Sequence, residues 1–493
     1  MAEADQQQPP IDLSKLFFQS TTTRRRIIAS YWIVVILAIP IWWRITSIDR
    51  LSLPESKVSA LDTRDLRLPL RVGLQSNVPG ISSNSIETQL AHRLKRDAES
   101  HCVFFESAPV DLNRQSTPGT YDVVIEPGAP NLLLDGRRLS VRSQGETEEQ
   151  VLDALTNLVL PSSDGMEALR IVKYSPRFRI AFSLLNEDAT SGRSILSWDV
   201  EAAIKRYLAP ALEKLSILHN FTIESQVQYH APLAFRPHEI QIGEQTAHSL
   251  TQEDLTVFVN SAEWTLSSSV SNDPVIHFVL FVPSADDSPL YILDHNGTPS
   301  SADAFILPQW GGIVVSNNAR PHLKVADLEH TFVTFHNQLL SLLGVPSLPA
   351  NVDYDYSLPF TDWQLDALVR LRTMQNVENS KETLRSIVAL VHQIENMPVG
   401  QDVKGDVQGV LDALDLVFAE SSSSLMFALR HSSDALTRAS RAFFNPGMLA
   451  LLYFPAEHKY AVYTPLFASV AAPLVATLAR EVAAWRKTRR EQA

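Results

Sequence analysis

A single cysteine stands among the 493 residues. That excludes an intrachain disulfide framework and any zinc site built on cysteine thiolates. Basic residues are in deficit: 42 Lys+Arg against 55 Asp+Glu leave a net charge of −13. The deficit argues against a nucleic-acid binder, which needs a basic surface to displace counterions from phosphates. Gly and Pro, at 17 and 29, are too few for a collagen-like or low-complexity chain. Catalytic signatures are missing too. There is no G-x-S-x-G elbow, no G-x-G-x-x-G and no phosphate-cradling P-loop. The 14 histidines show no H-E-x-x-H or comparable metal spacing. His330 and His336 lie six apart on an expected helix and point in nearly opposite directions, as helix-surface residues do. His101 and Cys102 are adjacent in an expected strand and so face opposite sides, which prevents a hydrogen-bonded Cys–His pair. Asp286-Asp287 falls in a polar turn and is expected to be solvated. Two carboxylates brought together only in space, as in a glycosidase, stay open.

What the chain has in abundance is apolar sequence at its two ends. Ile27–Trp43 is a run of 17 uncharged residues, and as a helix it covers about 25 Å, the short limit of a membrane span. Arg24, Arg25 and Arg26 precede it and Trp42-Trp43 mark its far interface. No small-residue cleavage motif follows, so an uncleaved anchor is expected rather than a signal peptide. Tyr460–Ala479 is a second uncharged run, of 20 residues, with Pro465 and Pro473 as kinks and small residues such as Ala468, Ser469, Ala472 and Ala476 for close helix packing. Arg480, Arg486, Lys487, Arg489 and Arg490 follow it, unlike a GPI-addition signal, which ends in its hydrophobic tail. Basic residues outside both spans put both termini in the cytoplasm and the intervening chain in the lumen. Two N-x-S/T sequons, at Asn220 and Asn296, fall in that intervening region and are candidate glycosylation sites. The expected organisation is a cytoplasmic tail 1–26, a first span 27–43, an α/β region 44–345, a helical and juxtamembrane region 346–459, a second span 460–479 and a basic cytoplasmic tail 480–493.

Between the spans the first part alternates strand and helix patterns. Leu70–Leu74, Val103–Phe105 and Val123–Ile125 read as strands. Ile86, Leu90 and Leu94 have helical spacing, and Asp135-Gly136 separates the strands of an expected hairpin. Thr147 with Gln150 suggests a capping box for a helix to about Leu160. The pattern restarts at the Phe178–Leu184 strand. Ser197 is expected to cap a helix carrying Ile204, Leu208, Leu212 and Leu215, and Phe221–Tyr229 alternates as a half-buried strand does. Thr251–Trp264 is expected to be helical. Val275–Val282 is nearly all apolar and expected at the centre of a sheet, and Ile313–Val315 reads as a short strand. Val325–Leu343 reads as an amphipathic helix stopped at Gly344. From Thr361 to about Phe444 the spacing is helical only, broken at Met397-Pro398-Val399-Gly400, and Ala442–Ala456 is either interfacial or a buried hairpin. The expected fold is an α/β region with a mixed sheet and flanking helices, plus a helical segment, anchored by two transmembrane helices, one near each terminus.

Several segments carry a family resemblance. Ile39-Pro40-Ile41-Trp42-Trp43-Arg44-Ile45-Thr46 with Arg50 and Leu53-Pro54, then Gln309-Trp310-Gly311-Gly312-Ile313, then Phe454-Pro455, Lys459-Tyr460-Ala461 and Tyr463-x-Pro465-Leu466-Phe467, taken in this order and spacing, resemble the PIG-S family. The resemblance spans the chain, although its middle carries little that is diagnostic. It implies a subunit of the GPI transamidase complex in the endoplasmic-reticulum membrane. That complex removes a C-terminal signal peptide from a precursor protein and joins the new carboxyl end to the ethanolamine of a GPI lipid. The family also implies that the catalytic cysteine and histidine reside in a different, caspase-like subunit. No catalytic residue, metal or cofactor is therefore expected here, and GPI lipid and precursor protein are expected nearby.

Gln309–Ile313 has two readings. Trp310 can anchor a partner subunit from a surface loop formed with Gly311 and Gly312. Alternatively the glycines permit a close backbone approach and Trp310 plugs the core. The residues alone also leave open a membrane-tethered luminal hydrolase acting on glycans or lipids, or a trafficking adaptor. Charge follows the expected topology: residues 1–26 carry +1 and residues 480–493 carry +3, so the chain between them carries −17 of the net −13.

Overall fold

The computed structural model describes residues 20–46, 50–96, 103–110, 117–143, 148–159, 172–266, 271–318, 320–349, 351–355, 357–394, 397–421, 424–449 and 456–491. His101, Cys102 and Thr147 lie outside these residues, as does most of the end of the Ala442–Ala456 stretch. The chain divides into two compact units. One comprises Met1–Ser59, Thr383–Gly409 and Arg438–Ala493, the other Ala60–Glu382 and Val410–Thr437.

The first unit contains the two apolar ends as helices, Thr21–Thr46 and Ala456–Glu491. Within them Thr22–Trp42 and Ala461–Lys487 are long and apolar enough to cross a membrane, and neither is buried in protein. The helices meet at both ends of their contact. Trp42 lies edge-on to Tyr463 and Phe467, with ring centroids 5.6 and 5.1 Å away. At the basic end Glu481 accepts from Arg25 at 3.1 Å and pairs with Arg24. Elsewhere in this unit Arg50 donates to the Val391 carbonyl at 2.7 Å, and Arg441 pairs with Asp406.

The second unit is built on two parallel-rich sheets. Its strands are β1 (Leu68–Ser76), β2 (Val103–Ala108), β3 (Thr120–Pro127), β4 (Asn131–Asp135), β5 (Arg138–Ser143), β6 (Arg177–Asn186), β7 (Ser197–Trp198) and β8 (Asn220–Gln228). They continue with β9 (His238–Ile242), β10 (Gln245–Leu250), β11 (Val275–Val282), β12 (Leu290–Ile292), β13 (Ala304–Leu307), β14 (Gly311–Val315), β15 (His322–Leu323) and β16 (Val352–Tyr354). The first sheet has the order β16-β4-β5-β3-β1-β2. Only its β4–β5 hairpin is antiparallel, turning at Gly136 with φ 56°. Leu70, Val72, Tyr121, Val123 and Ile125 from its strands pack with Ile86, Leu90 and Leu94 of helix Ser83–Arg96 and with Leu152 and Leu155 of helix Glu148–Val159. The i, i+4 spacing of each helix delivers one apolar stripe to that core.

The second sheet has the order β13-β14-β11-β6-β8. All its strands run parallel except the edge strand β13. β6 and β11 are buried along almost their whole length, which is why β11 reads as a nearly continuous apolar run instead of an alternating one. Helix Glu329–Leu342 lays Phe332 and Phe335 on Phe182 and Phe278, with ring centroids 5.2–6.0 Å apart. It ends at Gly344, φ 74°, as the sequence leads one to expect. The helical third follows as Asp362–Gln393, Gln401–Glu420 and Leu425–Phe443. Thr361 and Gln364 cap the first of these reciprocally. The fold is thus mixed α/β sheets with helices, with a candidate membrane-spanning helix near each terminus.

Two expectations of secondary structure fail. Ser197 is not a helix cap: it belongs to β7, and its hydroxyl bonds His322 Nδ1 at 2.8 Å. The helix begins after Asp199 and runs through Val200–Ala203, a π-helical turn Ile204–Leu208 and Ala209–Leu215. Thr251–Trp264 holds only one short helix, Gln252–Thr256, capped reciprocally by Thr251 and Asp254. Beyond it the chain leaves helical geometry because Phe258 and Trp264 are drawn into a core with Phe281, and Trp264 Nε1 donates to the Pro232 carbonyl at 3.0 Å.

Candidate functional site

The Trp310-Gly311-Gly312 segment is the turn and first residues of the β13–β14 hairpin. Gln309 has φ 60°, a left-handed conformation uncommon outside glycine. The Trp310 carbonyl accepts from His277 N at 3.0 Å, and the half-buried indole stacks on the His277 ring with centroids 4.7 Å apart. Burial, with Arg179 next, lowers the His277 pKa to about 4, so the stacked ring is neutral. Both glycines are sites of close approach. A Cβ on Gly311 would lie 1.9 Å from the His277 carbonyl oxygen, and one on Gly312 would lie 2.0 Å from Gln338 Oε1. Gln338 is buried and donates to the carbonyls of Phe305 and Ile313 at 3.0 and 3.3 Å. The glycines let the helix and the neighbouring strand close on the hairpin. Trp310 contributes to the apolar cluster around Phe258 and Phe281 from its margin.

The opposite end of the same sheet is where open α/β sheets bind ligands, at the carboxyl ends of strands flanking a topological switch. Here the chain passes from β6 to β8 on one side and later returns to β11 on the other. At that switch Glu187, 8% exposed, follows β6 and accepts from Ser284 N beyond β11 at 2.8 Å. Asp287 accepts from Ser284 Oγ at 3.3 Å and faces Glu187. Burial first, and then Asp287, push the Glu187 pKa up to about 7. Asp286 is exposed, as expected, and Asp287 is half-buried. Sequence reasoning missed Glu187, because Asn186-Glu187-Asp188 reads as an ordinary polar strand exit.

A proton held on Glu187 stabilises the fold. The unfolded carboxyl titrates near 4.5 and the folded one near 7. Between those values the folded state binds the extra proton, so stability is greatest at the acid end and is lost as pH rises through the folded value. Glu187→Gln should remove that loss. The variant should be more stable than the parent at pH 7.5 by about 2–3 kcal/mol and nearly equal to it at pH 4.5, as read from denaturant midpoints across the range.

The remaining candidates are placed as follows. Asn220 is the first residue of β8 and is exposed. Asn296 sits in a tight turn in which Asp294 Oδ1 accepts from Asn296 N and Thr298 N, both at 2.9 Å. His330 is exposed on its helix and pairs with Asp303 at 2.9 Å. His336 instead bonds the carbonyls of Tyr207 and Pro359 and is half-buried. Among the described residues no three His, Cys, Asp or Glu side chains group as metal ligands.

Comparison with known proteins adds the following. Residues 29–488 match the family described as PIG-S, phosphatidylinositol-glycan biosynthesis class S protein. The GPI-anchor transamidase component PIGS of Bos taurus is 30% identical to this chain, covering 90% of it and 92% of the relative. The Homo sapiens protein of the same name is 29% identical, covering 93% and 95%. The GPI transamidase component GPI17 of Saccharomyces cerevisiae is 24% identical, covering 89% and 88%.

Proposed function

The chain belongs to the PIG-S family, and from that premise we propose that it serves as an accessory, non-catalytic subunit of the GPI transamidase of the endoplasmic-reticulum membrane. The observation that carries the reading is the extent of the match. Relatives named as transamidase components align with about nine-tenths of the chain, and the family match over residues 29–488 takes in most of both apolar helices. They support this role over a free-standing hydrolase or a trafficking adaptor. In this reading the protein is two-pass. Arg24–Arg26 and the basic tail after Ala479 hold both termini in the cytoplasm, and residues 44–459 form the luminal body with glycans at Asn220 and Asn296. The body scaffolds the other subunits, among them the caspase-like one that carries the catalytic cysteine and histidine, beside the GPI lipid and the precursor. Trp310, half-buried at the end of the sheet opposite the switch point, is the proposed partner contact.

Affinity purification of the full-length protein from mild detergent should recover the other transamidase subunits, and depleting the protein should strip GPI-anchored proteins from the cell surface. A protein that purifies alone while anchoring proceeds unchanged would end this reading.

A further inference from the structure

A cavity of about 330 Å³ opens beside the outer edge of the second sheet, lined by Leu212, Ser216, His219, Asn220, Phe221 and Ile223 among others. Its size is that of small-ligand pockets, ~300–1,000 Å³. Asn220, the acceptor of the first sequon, is thus part of the cavity wall. We propose that the first N-acetylglucosamine of a glycan on Asn220 seats in this cavity and forms a structural part of the folded protein. The proposal rests on the luminal placement of this region.

The chemistry of the wall suits an amphipathic sugar. Phe221 and Ile223 offer apolar surface, and Ile223 remains 42% exposed in the bare chain. Carbon-bound hydrogens of a pyranose ring and the acetyl methyl pack against such surface and remove it from water. Ser216 and Glu213 stand at the same wall to meet hydroxyls. The buried His219 is held by a 2.6 Å bond from Nδ1 to the Ser175 carbonyl. That bond fixes the ring position in the wall. β8 is also the sheet's outer strand, pairing only with β6 among the described residues. Open edges invite further strands, and a sugar on the first residue of β8 blocks that approach. The attachment replaces an amide N–H of Asn220 by a bond to C1 of the sugar. The donor is a lipid-diphosphate oligosaccharide, the lipid diphosphate is the leaving group, and the amide proton is lost. Asn296 differs. Its turn is polar, and a Cβ built on the adjoining Gly297 meets nothing within 4 Å, so a glycan there projects into solvent.

The test uses the full-length protein made in cells that glycosylate and purified in mild detergent, carrying Asn296→Gln so that only Asn220 is modified. Endoglycosidase H leaves one N-acetylglucosamine, whereas peptide-N-glycosidase F removes it. The thermal midpoint, read by intrinsic fluorescence, should hold after the first enzyme and fall by about 2–4 °C after the second. Asn220→Gln and Thr222→Ala should reproduce the fall, and Asn296→Gln alone should not. Equal midpoints after the two enzymes, or no mass step in the Asn296→Gln protein while the parent protein shows one, would overturn the inference and leave the luminal placement standing. No mass step at either asparagine would remove both.

Discussion

Gly311→Ala should abolish stable accumulation of the protein. The added methyl would sit 1.9 Å from the His277 carbonyl oxygen, 2.7 Å from its carbon and 2.8 Å from its amide nitrogen. All three belong to the backbone of β11, so no rotamer change relieves the clash. Moving β11 would disturb its eight-residue pairing with β6 on one side and its five-residue pairing with β14 on the other. Overpacking a core ordinarily costs about 1–3 kcal/mol, and a clash with the backbone of a central strand should exceed that range. Gly312→Ala should be milder, because the obstacle is the Gln338 side chain. That side chain can turn away, losing its bonds to Phe305 and Ile313, at about 1–3 kcal/mol. Trp310→Ala removes only a half-buried ring from His277 and should leave the fold intact. Steady-state protein level and the urea midpoint separate the three. A Gly311→Ala protein as abundant and stable as the parent would show that this hairpin does not need the close approach. A folded Trp310→Ala protein that no longer recovers the other subunits would assign Trp310 to a partner.

These residues also show what a sequence reveals and what it hides. The apolar run of β11 was legible because burial on both faces demands it, and the stripe through Phe332, Phe335 and Leu339 because a helix on a sheet demands it. The family match through Trp310-Gly311-Gly312 was legible as well, but its physical cause lay in His277 and Gln338, 34 residues upstream and 26 downstream. The β9–β10 hairpin was missed. Its turn rests on Gly243 at φ 66°, and its strand β9 is largely exposed, with little apolar alternation to mark it. Thr251–Trp264 was misread because Leu255, Phe258 and Trp264 satisfy helical and irregular packing alike, and only their contact with Phe281 decides. Glu187 was invisible because its properties come from Ser284 and Asp287, almost a hundred residues away.

The same holds for the buried polar knot on helix Asp362–Gln393. The Asp366 carboxylate, 2% exposed, accepts from Arg137 Nε and Nη2 at 2.8 and 2.9 Å, from the Tyr121 hydroxyl at 2.9 Å and from Gly119 N at 3.1 Å. Arg370, also buried, donates to the Tyr121 oxygen at 2.8 Å. Burial drives the Tyr121 pKa far above its ordinary value, which keeps the phenol neutral as both donor and acceptor. Burial on its own would lower the Arg137 pKa, but Asp366 and then Asp362 more than offset it and raise it. Asp366 is thus the anion that pairs with the part-buried Arg137 guanidinium while tying the helix to β3 and to the hairpin turn before β5. Asp366→Ala should destabilise the second unit by about 3–5 kcal/mol, the range for removing one partner of a buried ion pair. Lys214→Ala, which breaks a partly exposed pair with Asp362, should cost about 1 kcal/mol or less. Adding Arg137→Met to Asp366→Ala should recover part of the loss, because an apolar side chain needs no counterion there. If Asp366→Ala proves no worse than Lys214→Ala in urea midpoint, the knot does not hold the helix to the sheet. A double variant no better than Asp366→Ala would instead place the loss in the Tyr121, Gly119 and Arg370 contacts.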